Sequence, residues 1–168
     1  PSTPLHPEQI QPSINQQPAA EPNFRNRVIG HIFITDPLDL FSALTGQRDS
    51  IRADEGGPFR IGAGTGMADE VTVHALEHSQ ISVGRNCQFG FHSVIHGGED
   101  LNQVPHDTST LGNNVVVGPR AVVFRSALGD NCTIGQDALV DGCNLPAGSN
   151  VPPRTLLIGN QVVGSLEW

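Results

Sequence analysis

At 168 residues the chain has the length of one domain, and 17 acidic against 9 basic residues give a net charge of −8. Every base is an arginine, and this balance argues against a nucleic-acid partner or an anionic membrane surface, both of which need clustered cations. No apolar run approaches the ~20 residues of a spanning helix.

Residues 1–27 are rich in Pro and Gln and carry no periodic apolar pattern, which predicts an extended arm. From residue 28 to 157 large aliphatics recur in steps of six, six and five. The late part shows this in Leu111, Val117 and Val123, then Leu128, Ile134 and Val140, then Leu145, Val151 and Leu157. Earlier turns of the ladder run through Val83, Phe89 and Ile95, through Ile61, Met67 and Val73, and through Ile34, Leu40 and Ile51. Small residues form two accompanying columns, Thr65, Cys87, Val115, Cys132 and Ser149 in one, and Val71, Ser93, Ala121, Ala138 and Thr155 in the other. A hexapeptide period fits a parallel β-helix, in which three short strands make one triangular coil and aliphatics fill the bore. A helical stripe would recur near 3.6 residues instead. The sequence thus predicts an all-β fold of about six stacked coils, closed by a C-terminal cap strand over 158–168.

Three excursions interrupt the ladder. In the column through Ile51, Val73, Ile95, Val123, Val140 and Leu157, the late steps are 17 residues, two early ones are 22 and one is 28. The extra residues leave from one corner, near 52–60, 74–82 and 96–110, and function tends to gather where loops gather. Cys87 and Cys132 lie two coils apart, too far for a disulfide, and Cys143 has no evident partner. Three packed thiols, with no signal segment at the start, point to a reducing, cytoplasmic setting.

The residue after each aliphatic of that column points outward, giving Arg52, His74, His96, Phe124 and Asp141 in succession. His74 and His96 then stand one coil apart, near the ~4.7–4.9 Å spacing of adjacent strands. At that separation two imidazoles can share one metal ion at ~2.0–2.1 Å each.

In the stretches SIRADEGGPFRIG (50–62), VTVHALE (71–77) and VIHGG (94–98) the chain resembles the γ-class carbonic anhydrases, over most of 28–157. Arg52, Asp54, Glu55, Asp69, His74, Glu77 and His96 all fall in family positions. The resemblance implies a left-handed β-helix and a homotrimer with zinc at each subunit interface, held by two histidines of one chain and a third from its neighbour. Iron or cobalt would suit the same imidazoles. The implied reaction is reversible hydration of carbon dioxide to bicarbonate, since zinc brings the pKa of its water to ~7. The resemblance gives catalytic roles to Glu77, Glu55 and Arg52, with Glu77 moving the proton, and an intersubunit ion-pair set to Arg52, Asp54 and Asp69.

The family's third histidine belongs at position 91, where this chain has Phe91, and Ala68 stands where the family has a glutamine. His92 is one candidate for the third ligand. Adjacent strand residues point to opposite sides, so it would need a rotated corner, which Gly90 permits. His106, on the longest excursion, is the other. A second expectation is a trimer of the same descent that has lost catalysis and serves as a scaffold or assembly subunit. A hexapeptide acyltransferase is disfavoured, because a lysine-free acidic chain serves coenzyme A phosphates poorly.

Overall fold

The structure is a computed structural model that describes residues 3–4, 27–30, 32–34, 46–53, 58–76, 79–98 and 108–167. Its strands build three sheets that the chain visits in rotation, as in Ser50–Ala53, Phe59–Ile61, Gly66–Met67 and then Thr72–Ala75. The histidine face stacks Arg27–Gly30, Ser50–Ala53, Thr72–Ala75, Val94–Gly97, Val122–Phe124, Leu139–Asp141 and Thr155–Ile158 in parallel. The second face runs from Ile32–Ile34 to Asn144–Leu145 and the third from Gly66–Met67 to Asn150–Val151. Coils of this kind, wound from hexapeptide strands, make a left-handed parallel β-helix. No described helix is long and apolar enough to cross a membrane.

The ladder read from the sequence lines the bore, and Phe59 and Ile81, which the sequence places on excursions, are buried there with it because the excursions end in strand. Ile51, Ile61, Met67, Val73, Val83, Phe89, Ile95, Leu111, Val117, Val123, Leu128, Ile134, Val140, Val151 and Leu157 form one continuous buried cluster, with Leu145 packed against it. Leu40 lies outside the described residues. Both small-residue columns sit at the corners inside, buried except for half-buried Ser149, and the three cysteines are buried thiols. Strands of two to four residues suffice for the parallel coils because their backbone N–H groups bond to carbonyls one coil away. Val94 N donates to Ala121 O at 3.0 Å, and Val122 N donates to Ala138 O at 2.9 Å.

Both ends of the stack carry antiparallel strands. Thr3–Pro4 pairs with Ile32–Ile34 at one end. Residues 5–26 of the predicted arm lie outside the described residues. At the other end Gln161–Ser165 folds back on Thr155–Ile158, leaving Val162 and Val163 exposed; Trp168 lies outside the described residues.

Left-handed backbone recurs coil after coil at two corners, and at the third in Gly30, Arg125, Gly142 and Gly159. At one, Gly64, Asn86, Asn114, Asn131 and Gly148 have φ between 56° and 78°, the choice expected where a side chain must tolerate this region. At the other, leading into the histidine face, the column is Arg48, Glu70, His92, Arg120, Asp137 and Arg154, with φ between 58° and 62°. Each N–H after the first donates to the carbonyl of the coil before, as from Arg120 to Phe91 at 2.8 Å. The side chains pair along the same line. Arg48 bonds Glu70, Glu70 bonds His92, and Arg120 grips Asp137 through Nε at 2.7 Å and Nη2 at 3.0 Å. The Arg120 hydrogen bond holds the Asp137 carboxyl below the usual carboxylate range. Pairing of this kind joins five of these six residues, none of them Gly or Asn, and helps to offset the cost of their backbone conformation.

Asp49, 1 % exposed, ties the early coils together by accepting from Val71 N at 2.8 Å and Gly46 N at 2.7 Å. Burial raises its pKa to about 6, outweighing both bonds, with Asp69 adding to the rise. The folded value lies above the unfolded one, so this carboxyl's contribution to stability is full below about pH 4 and is lost as pH rises to about 6. Thermal midpoints across that window should fall with rising pH in the native chain, and Asp49→Asn should remove that slope.

Candidate metal centre

Alternation along Thr72–Ala75 and Val94–Gly97 buries Val73, Ala75, Ile95 and Gly97 and turns His74 and His96 outward. The two histidines are Cα partners, one coil apart as the spacing predicts. Their rings meet nearly at right angles, with centroids 4.9 Å apart and planes at 83°. His74 Nδ1 and His96 Nε2 lie 3.0 Å from each other.

The neighbours of His96 decide what its nitrogens can do. Nδ1 lies 2.6 Å from the Gly97 carbonyl oxygen, which can only accept, so Nδ1 carries the proton and donates. Nε2 is left with its lone pair, directed at His74. An acceptor behind a histidine that fixes its tautomer is a usual feature of metal-ligating imidazole. Two ligands of one tetrahedral zinc stand roughly 3.3 Å apart at ~2.0–2.1 Å bond lengths, so the observed pair needs little movement to hold one. The residues present therefore fit two of the ligand positions. Without metal, the same two nitrogens share one hydrogen bond, donated by His74 Nδ1.

Arg52 is the Cα partner of His74 on the other side and is half-buried. Phe124 is the partner of His96, with ring centroids 5.2 Å apart. Leu76, 44 % exposed, carries the apolar surface past the end of the histidine strand. One face thus brings Arg52, His74, His96 and Phe124 into a line.

The other candidates lie elsewhere or outside the described residues. Asp69 sits on the left-handed corner and accepts from Gln47 N at 2.9 Å. Phe91 and His92 occupy the same corner in the next coil. Strand alternation does not separate them, because His92 has φ +58° and their rings stack 4.1 Å apart at 9°. His92 is turned to Glu70. It precedes His96 by a whole strand length, on the order of 10 Å, so it cannot join His74 and His96 of its own chain. Among the described residues no three His, Cys, Asp or Glu side chains of one chain converge on a metal position. Glu77, Glu55, Asp54 and His106 lie outside the described residues.

The partnership of His92 with Glu70 was not anticipated from sequence, although the signal is there. Arg48, Glu70, His92, Arg120, Asp137 and Arg154 follow one another by the same 22, 22, 28, 17 and 17 residues as the column of Ile51, Val73 and Ile95.

No family model matches the chain. It is 31% identical over 108 residues to the carboxysome assembly protein CcmM of Nostoc sp., covering 64% of this chain and 20% of that protein. Against the carbonic anhydrase of Methanosarcina thermophila it is 26% identical over 171 residues, covering 90% of this chain and 62% of the relative. It is also 27% identical over 121 residues to CcmM of Synechococcus elongatus, covering 66% of this chain and 21% of that protein. The chain spans less than two thirds of the length of each of these relatives. With hexapeptide coils, two outward histidines in register and these similarities together, the chain is a γ-class carbonic anhydrase-like protein.

Proposed function

We propose that the chain catalyses reversible hydration of carbon dioxide to bicarbonate, as a trimer with zinc held between subunits by His74, His96 and a ligand from the neighbouring copy. The observation that carries this reading is the 3.0 Å approach of His74 Nδ1 to His96 Nε2, with the His96 proton committed to Gly97. The similarity to a carbonic anhydrase over 90% of the chain supports it. Zinc, when bound, supplies Lewis acidity and a water that ionises near neutral pH. The chain's own residues supply the rest. His96 presents a fixed lone pair. Arg52 places a cation beside His74, where it helps hold an anionic product. Leu76 and Phe124 keep one flank apolar and limit water. Glu77, three residues after His74, carries the proton to solvent, and Glu55, on the preceding excursion, holds the other catalytic carboxylate that the resemblance implies.

A second reading, a scaffold or assembly subunit without catalysis, is favoured by Phe91. It is an aromatic residue 43 % exposed on the corner where the resemblance places the third histidine. Relatives named carboxysome assembly proteins agree with it.

Zinc analysis of the purified protein together with stopped-flow hydration of carbon dioxide decides between them. The hydratase reading expects stoichiometric zinc and turnover in the native chain. A native chain with neither, in which Phe91→His confers both, would establish the scaffold reading and identify the missing ligand.

A further inference from the structure

The two hydrogen bonds of His96 hold its imidazole only by their own modest strength, about 1 kcal/mol each. With Cβ fixed by the strand, the ring moves by turning about the Cβ–Cγ bond, and such a turn carries Nε2 away from His74 and Nδ1 away from the Gly97 carbonyl together. A packed neighbour that blocks this turn keeps the lone pair in line.

Phe124 does so from the next coil. Its ring meets His96 edge-on, with centroids 5.2 Å apart and planes at 66°. Phe124 is itself held. The Arg125 guanidinium carbon lies 5.3 Å from its ring centroid, and Arg125 Nε donates to Asp141 Oδ1 at 2.7 Å. Asp141 is the Cα partner of Phe124 one coil further on, so anchor and ring share the outward column of the histidines. Gly98 completes the arrangement, since a Cβ there would come within 3.0 Å of Phe124 Cε2 and 3.2 Å of Cζ.

We propose that Phe124, clamped by Arg125 and Asp141, is a positioning residue that sets the plane of the His96 imidazole and so aims its Nε2 lone pair. The inference rests on reading His74 and His96 as a ligand pair, but what it asserts concerns the chain before any metal binds. Aromatic edge contacts are specific in geometry, which a branched aliphatic of similar bulk does not reproduce. The set extends the site by two residues, Arg125 and Asp141; Arg125 meets His96 through its backbone, its N–H donating to the His96 carbonyl at 2.8 Å, a bond that a side-chain substitution leaves in place.

The test uses the full chain and reads His96 directly. Long-range proton–nitrogen NMR of the metal-free protein should show one His96 tautomer, protonated at Nδ1, in a single ring environment. In Phe124→Leu we expect tautomer exchange and a broadened His96 signal, and in Phe124→Tyr, which keeps the ring, the native signature. Arg125→Gln should broaden the same signal, and it supplies the result if Phe124→Leu fails to fold. Cobalt(II) affinity, read from its visible absorption, should fall roughly tenfold in Phe124→Leu and recover in Phe124→Tyr. A native His96 signature in both Phe124→Leu and Arg125→Gln would overturn the inference. If the unaltered chain takes up no cobalt, the hydratase reading fails instead, and the NMR result still decides the role of Phe124.

Discussion

Replacing His74 with alanine should leave the chain without zinc and reduce carbon dioxide hydration to the buffer background. The substitution removes one of two nitrogens that lie 3.0 Å apart and leaves His96 Nε2 facing empty space. A single imidazole per chain, even with a ligand from a neighbour, lacks the three protein donors of a catalytic zinc site. The fold should barely notice. His74 points outward from the sheet, and the hydrogen bond lost is worth about 1 kcal/mol. The measurement is zinc content and stopped-flow hydration, with a thermal melt to show that the coils remain. Native turnover in a folded His74→Ala protein would remove the metal centre from this face.

Cutting Phe89 back to alanine should have the opposite profile, with a large loss of stability. Phe89 is 2 % exposed and lies in register between Met67 in the coil before and Val117 in the coil after. Its removal opens a cavity inside the bore, where neighbours on either side are fixed by their own coils and cannot collapse inward. Phe→Ala changes in packed cores cost about 3–5 kcal/mol, and this site should fall in that range. Because each coil is stabilised chiefly through its neighbours, the loss should also reduce the cooperativity of unfolding. Val116→Ala, one residue before the bore position Val117 and pointing outward with 41 % exposure, should change stability by less than about 0.5 kcal/mol. Denaturant midpoints of the pair measure the difference. Equal small effects would mean that the ladder does not carry the core.

These two expectations mark how far the sequence could be read. The register of His74 and His96 follows from counting, because both lie 22 residues apart on a column whose aliphatics do the same. The ladder residues of the bore follow for the same reason, whereas Phe59 and Ile81, buried beside them, fall on stretches that the count assigns to excursions. The outward column Arg52, His74, His96, Phe124 and Asp141 was also legible, but only as positions. That Phe124 meets His96 edge-on, and that Arg125 turns back over it to reach Asp141, depends on rotamers chosen among the side chains of two neighbouring coils. The corner of Phe91 and His92 shows the same limit. Strand alternation predicts opposite sides for the two, whereas the left-handed backbone of His92 stacks their rings and directs the imidazole to Glu70.

By itself the sequence determined the coil: its period, its inward and outward faces, and which residues of successive turns become neighbours. That information is local, since the alternation of a strand and the length of a coil are properties of a few consecutive residues. Only the tertiary structure decided the proton on His96, the partner of His92 and the clamp behind Phe124. Each of these is settled by a carbonyl, carboxylate or ring that reaches its place only once the coils above and below have stacked.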